Sequence, residues 1–207
     1  MGSENIQGKR VESSRDILVF GLAYAKGTLS RAIADIYNNE YHWEPLTGTE
    51  RSADLKLAPD RKKVWRVYQK EGTWIYDYTA EILDPPPFTT IAWMMNHVAQ
   101  TGDMYLYCIE TSKPEGVDRC WDDLPVYADY DQMSNYLFQV LDNTREYLES
   151  ISKDKITVEL NRPTPAPWGD MRPVYLNIWG GIISHVIEHA VQIAVQKDRI
   201  RYESSGR

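Results

Sequence analysis

The chain has 207 residues, 43% hydrophobic and 26% charged, with a net charge of -7 and a pI near 5.2. These values fit one globular domain with a full core, and a net negative field repels nucleic acid and anionic lipid. Cys108 and Cys120 are too few for a disulfide framework, the polar stretch Met1–Ser14 offers no signal peptide, and no uninterrupted apolar run has the length of a membrane span, so a cytoplasmic setting is expected.

The first predicted helix runs from about Ser14 to Tyr37. Its apolar residues Leu18, Leu22, Ala25, Leu29, Ala32, Ile33 and Ile36 keep three-and-four spacing, and Asn38-Asn39 should stop it. Residues 39–88 form a connection far longer than usual between bundle helices, rich in Trp43, Trp65, Trp74, Tyr68, Tyr76 and Tyr78. A hairpin around Glu71-Gly72 fits the strand-forming runs Val64–Tyr68 and Trp74–Tyr78. After the triple proline at 85–87 a second helix opens, with Thr89 or Thr90 as N-cap, and continues to about Thr111. The third starts near Asp129 or Asp131 and reaches about Ile151, with Met133, Leu137, Val140, Leu141, Tyr147 and Leu148 inward. The connection 153–172 carries a strand-like Ile156-Thr157-Val158 and a stiff stretch, Pro163–Trp168. Pro173 suits the first turn of a fourth helix lasting to about Ile200. Four long amphipathic helices predict an all-α four-helix bundle over residues 14–200, flanked by flexible termini at 1–13 and 201–207.

Three of the four histidines fall where a metal would need them. His185 and His189 stand one turn apart on one face of the fourth helix, and His97 lies inside the second. Two imidazoles can grip an ion from one side while a facing helix supplies the third. Three neutral nitrogen ligands with an open position are what a catalytic zinc or nickel ion uses, and buried imidazoles without partners are costly. Gly180-Gly181, one turn before His185, suggests either a tight helix crossing or room for a ligand.

The neighbours of the trio have readings of their own. Trp93, one turn before His97, should line the same side, first as a core residue. Gln192 follows His189 by three residues, so it should face inward and orient an imidazole. Glu188 is a candidate base, although it lies roughly 100° around the helix from His189. Cys108 lies about 16 Å along the axis from His97, too far for a shared metal, and reads as a core thiol. His42 reads as a surface residue. Trp43 and Trp74 are candidate lid residues over a substrate pocket.

The stretches Glu40–Leu46 (EYHWEPL), Gly72–Asp77 (GTWIYD), Pro86–His97 (PPFTTIAWMMNH) and Ser184–Ile193 (SHVIEHAVQI) together resemble the DinB-like superfamily, over about Ser14–Arg199. The likeness is closest to its branch with a long first connection and a PFTTIAW-x3-H helix start. It implies a four-helix bundle of crossover topology that binds a divalent metal through His97, His185 and His189. Characterised members include thiol S-transferases and thiol-dependent isomerases using bacillithiol, mycothiol or glutathione. Relatives often carry a histidine or a glycine where this chain has Glu188 and Ala190, which implies different surroundings for the last ligand.

The function expected is divalent-metal-dependent transfer of a low-molecular-weight thiol onto an electrophilic small molecule held under the aromatic connection. Two alternatives stand beside it: a hydrolase in which Glu188 activates a metal-bound water, and a non-catalytic bundle that the metal only stabilises. The expected partner is a small-molecule substrate, with no nucleic acid, no membrane, and homodimerisation left open.

Overall fold

The computed structural model describes residues 13–45, 64–78 and 88–205. The expected flexible segment at 1–13 falls almost wholly outside these residues, as does the triple proline. Side-chain caps open three of the four long helices. Ser13 accepts from the Asp16 amide at the start of α1 (Ser14–Ile33). Thr90 does the same for Trp93 in α3 (Ile91–Thr111), and Asp129 for Gln132 in α4 (Tyr130–Ser150). Each satisfies an amide that a helix start leaves orphaned.

The first helix stops earlier than its apolar pattern suggests. Ala34 leaves the helical region, Asp35 is left-handed with φ 58°, and a short helix α2 (Asn38–Tyr41) follows, so Asn38 and Asn39 begin an element rather than end one. Cations from the last helix replace the missing turn. Lys197 donates to the Ala34 carbonyl at 3.0 Å, while Arg201 donates to the Asp35 carbonyl at 2.6 Å and to Glu40 at 2.8 Å. Cations at a helix C-terminus satisfy its open carbonyls and oppose its dipole.

The hairpin expected around Glu71-Gly72 forms. Strands β2 (Val67–Lys70) and β3 (Thr73–Tyr76) pair antiparallel, and both turn residues are left-handed, φ 51° and 83°. That is the backbone of a two-residue turn that follows strand twist. Beside it, β1 (Val64–Trp65) pairs in parallel with β4 (Phe88–Thr89). The strand-like run at Ile156 is instead a helix, α5 (Ile156–Asn161). β-Branched propensity yields there to tertiary contacts: Leu160 enters the core, and Glu159 is held by Tyr147 at 2.5 Å and by Arg162 at 2.7 Å. Strands β5 (Pro163–Pro165) and β6 (Met171–Pro173) then lead into the last helix, which Pro173 precedes as N-cap.

That helix, α6 (Val174–Ser204), is 31 residues long and continues past the expected stop near Ile200. By length and composition it is apolar enough to cross a membrane, although polar residues interrupt its apolar run; here it packs against α1 and α3, the ordinary setting of an apolar helix in a bundle core. Its residues Asn177–Ser184 widen into a π-helix. Such segments are rare and recur at functional sites.

The four long helices make the bundle. α1 and α6 run parallel, Gly21 against Ile183 and Ala34 against Lys197. α4 runs antiparallel to α1, with Lys26 on Asp142 and Arg15 on the Ile151 carbonyl. α3 runs antiparallel to α6, Gly102 lying beside Ile182 and His97 beside His189. Consecutive helices α3 and α4 are therefore parallel, so the chain between them must return along the bundle. Buried Asn96 pins that return, bonding both the amide and the carbonyl of Tyr127 at 2.9 Å.

Candidate metal centre

The π-segment sets His185 against α3. A Cβ on Gly181 would fall 2.5 Å from the Tyr105 ring, whereas one on Gly180 would meet nothing within 4 Å. Gly181 thus serves the tight crossing, and it brings α6 onto α3. The ring centroid of His97 lies 4.9 Å from that of His185 and 5.3 Å from that of His189. Among the described residues these three histidines have ligand atoms that all lie within 4.8 Å of one another.

The donor set suits a divalent ion. Nε2 of His189 stands 3.1 Å from Nε2 of His185, close to the roughly 3.3 Å that separates nitrogens bound tetrahedrally at about 2.0–2.1 Å from one ion. The Nδ1 atoms of both rings are buried without a hydrogen-bond partner. Burial pushes the His185 imidazole down to about 3 and the His97 imidazole well below its usual range, each reinforced by the neighbouring imidazoles. Burial lowers His189 as well, partly offset by the Gln192 side chain. All three rings are neutral at pH 7, the form that binds metal.

His97 is oriented from outside the bundle. Trp93 stacks on it with centroids 4.7 Å apart and planes 18° apart. The Trp93 Nε1 donates to the Asp77 carbonyl at 2.6 Å, and Trp65 packs on the same indole at 5.1 Å. Thr90 N donates to the Trp65 carbonyl at 3.0 Å. The first connection therefore closes on the start of α3 and fixes the indole that stacks on His97.

A cavity of about 520 Å³ opens from His189 and Trp93, a size usual for small-molecule sites. Trp65 and Phe88 line one side, and Gln192, Gln196 and Arg199 the other. A larger cavity, about 920 Å³, lies between the start of α1 and α5, away from the histidines.

The remaining sequence candidates are placed less centrally. Glu188 is exposed and absent from the cavity wall, so it does not face the trio as a base should. Gln192 is at the mouth rather than inside. Trp74 is 43% exposed on β3, and Trp43 is half-buried beneath the Arg199 guanidinium at 5.5 Å; neither lines the cavity. The aromatic wall is instead Trp65, which the sequence did not single out among its neighbours, together with Phe88 and Trp93. His42 is a surface residue bonded to the Ala128 carbonyl, and Cys108 is a buried thiol pushed up to about 11 by desolvation.

The DinB superfamily model matches residues 22–193. The chain belongs to the DinB superfamily. A conserved protein of Enterococcus faecalis of known crystal structure shares the fold, with a TM-score of 0.50 at 14% identity, over 90% of this chain and 96% of that one. No curated protein matches. Members of this superfamily commonly bind metal, and the His97–His185–His189 cluster could hold one here. The all-α fold agrees with the sequence reading.

Proposed function

We propose that this DinB protein is a divalent-metal-dependent transferase that places the thiolate of a small thiol on an electrophilic carbon. The observation that carries the reading is a trio of neutral imidazoles, one of which, His189, lines a cavity whose described wall holds no acidic side chain. When bound, the ion supplies positive charge beside the cavity, which stabilises a thiolate at neutral pH. The protein's own part is to hold that charge undiluted, since three neutral ligands neutralise none of it. Trp65, Phe88 and Trp93 give an organic electrophile an apolar surface to stack on and exclude water from the reacting end. A thiolate needs no general base at the moment of attack, and this wall offers none. The hydrolase alternative takes Glu188 as its base, and Glu188 is exposed and off the cavity wall.

Protein purified without chelator should carry about one equivalent of zinc or nickel, lost in a His185→Ala, His189→Ala double variant. Replacing the ion by cobalt makes the thiol visible, because a cobalt–thiolate bond gives a near-ultraviolet charge-transfer band. Titration with glutathione, bacillithiol, mycothiol and cysteine should produce the band with at least one of them. No band with any thiol, while carboxylate ligands do change the cobalt spectrum, refutes the transferase reading.

A further inference from the structure

The long helices do not treat their outer faces alike. Among the described residues α3 and α4 leave no large hydrophobic side chain exposed. By contrast α1 exposes Ile17, Phe20 and Tyr24, and the start of α6 exposes Tyr175 and Trp179, each by 43–54%. These five form one face. Ile17, Tyr175 and Trp179 line the larger cavity together, and Trp179 comes within 3.3 Å of a Cβ built on Gly21 of α1. Phe20 and Tyr24 carry the face on along α1, one turn apart. An aromatic side chain has about 150–250 Å² to bury, so five half-exposed side chains offer roughly 400–550 Å² of apolar surface. Each copy in a stable interface contributes about 800 Å², of which about 65% is apolar when the subunits are identical. The face has the area that such an interface needs.

We propose that two copies of the chain pair through this face, with α1 running antiparallel to the partner's α1. The seam is self-complementary, as a twofold interface must be. Asp16, Phe20, Ala23, Gly27 and Arg31 recur every three or four residues along α1, the spacing of a helix-packing seam. A twofold axis between Ala23 and Tyr24 sets Phe20 against the partner's Gly27. There a Cβ would meet only the Arg31 Nη1, at 3.6 Å, so a ring has room. Tyr24 lies against the partner's Ala23, whose small side chain lets the helices approach. At the ends, Asp16 in the first turn faces the partner's Arg31 in the last turn, and the pairing occurs twice. Parallel pairing would set like charges together instead. Among the described residues Arg31 bonds only the Thr28 hydroxyl, at 3.2 Å, which leaves guanidinium donors for a carboxylate. A membrane surface could use the same apolar residues, but it has no use for opposite charges at matched distances from the centre. Since α6 turns its histidines to α3 and this face adjoins α1, pairing leaves the metal centre open. The inference stands apart from the transferase reading.

Sedimentation equilibrium of the full chain as purified, at about 1–100 μM, tests the pairing. The mass should approach twice the 24.0 kDa of one chain. Phe20→Glu changes an exposed position, so it should keep its helical circular dichroism and sediment as a single chain. Asp16→Lys and Arg31→Glu should each weaken pairing about tenfold or more, because each sets like charges face to face at both ends of the seam. Mixed in equal amounts, these two variants should pair about as tightly as wild type, since each presents the charge that the other lacks. Damage to the fold would not be repaired by mixing. A single-chain mass for wild type at every concentration, a Phe20→Glu variant that still pairs, or no recovery on mixing overturns the seam. Wild type that stays a single chain but cosediments with phosphatidylcholine vesicles, and loses them in Phe20→Glu, gives the face to a membrane surface and equally overturns it.

Discussion

Two adjacent glycines provide a test in which most energetic contributions cancel. Gly180 and Gly181 share the π-segment of α6, and neither has a positive φ. Replacing either by alanine gains the same backbone term, about 1 kcal/mol. Their surroundings differ completely. The alanine Cβ at 180 meets nothing within 4 Å, while at 181 it lies 2.5 Å from Cε1 and Cζ of Tyr105. Ordinary carbon contacts are about 3.5–4.0 Å, so the overlap is roughly 1 Å. Tyr105 is only 3% exposed, and Trp168 stands edge-on against its ring at 5.6 Å, so the ring cannot step aside freely. Overpacking of this kind costs about 1–3 kcal/mol, and with the backbone term common to both, that is the expected difference between the variants. In a chain of 207 residues each kcal/mol moves the melting temperature by about 2–4 °C. Gly181→Ala should therefore melt about 2–12 °C below Gly180→Ala by circular dichroism on metal-free protein. It should also bind zinc more weakly, because relieving the overlap pushes α6 off α3 and draws His185 away from His97. Equal melting temperatures and equal zinc affinity would refute the account of the crossing.

Two further outcomes follow from the site. Burial holds His185 at about 3 and keeps His97 and His189 below their usual value, whereas in the unfolded chain each titrates near 6.5. The unfolded state therefore binds more protons below that pH, and metal-free protein should lose stability as pH falls from about 6.5, by a few kcal/mol over the window down to about 3. Urea midpoints at pH 7.5, 6 and 5 check this above the range where carboxylates titrate; an unchanged midpoint between 7.5 and 5 contradicts buried neutral imidazoles. Trp65→Ala should weaken both zinc affinity and ligand binding, since Trp65 packs on the indole that stacks on His97, whereas Trp74→Ala should change neither; calorimetric titrations that rank them the other way reject the assignment of the aromatic wall.

What the sequence made legible was local chemistry repeated at a fixed period. The expected starts near Ser14, at Thr89 or Thr90 and at Asp129 or Asp131 fall within a residue or two of the observed ones, and the four-residue step from His185 to His189 placed two imidazoles on one face. The end of α1 was not legible because its final carbonyls are satisfied by Lys197 and Arg201, far along the chain. Ile156-Thr157-Val158 has strand propensity, and only the contacts of Leu160 and Glu159 make it helical. Glu188 looked like a base because it adjoins a ligand in sequence, but a helix turns adjacent residues roughly 100° apart. Gln196 and Arg199 continue the histidine period and were visible in principle. Trp65 could not be told from its aromatic neighbours without knowing which face of the connection meets α3.

The widened turn at Asn177–Ser184 uncouples the residue count of the last helix from its physical length. A π-turn holds about one residue more than an α-turn over a similar rise. A chain lacking one residue there could tighten to ordinary α-turns and leave both Val174 and His185 where they stand. The same loss between His189 and Arg199 would rotate everything after it by roughly 100° and carry Arg199 off the cavity face it shares with His189. Length variation among relatives should therefore gather before Ser184, and the interval from His185 to Arg199 should behave as a ruler of fixed length.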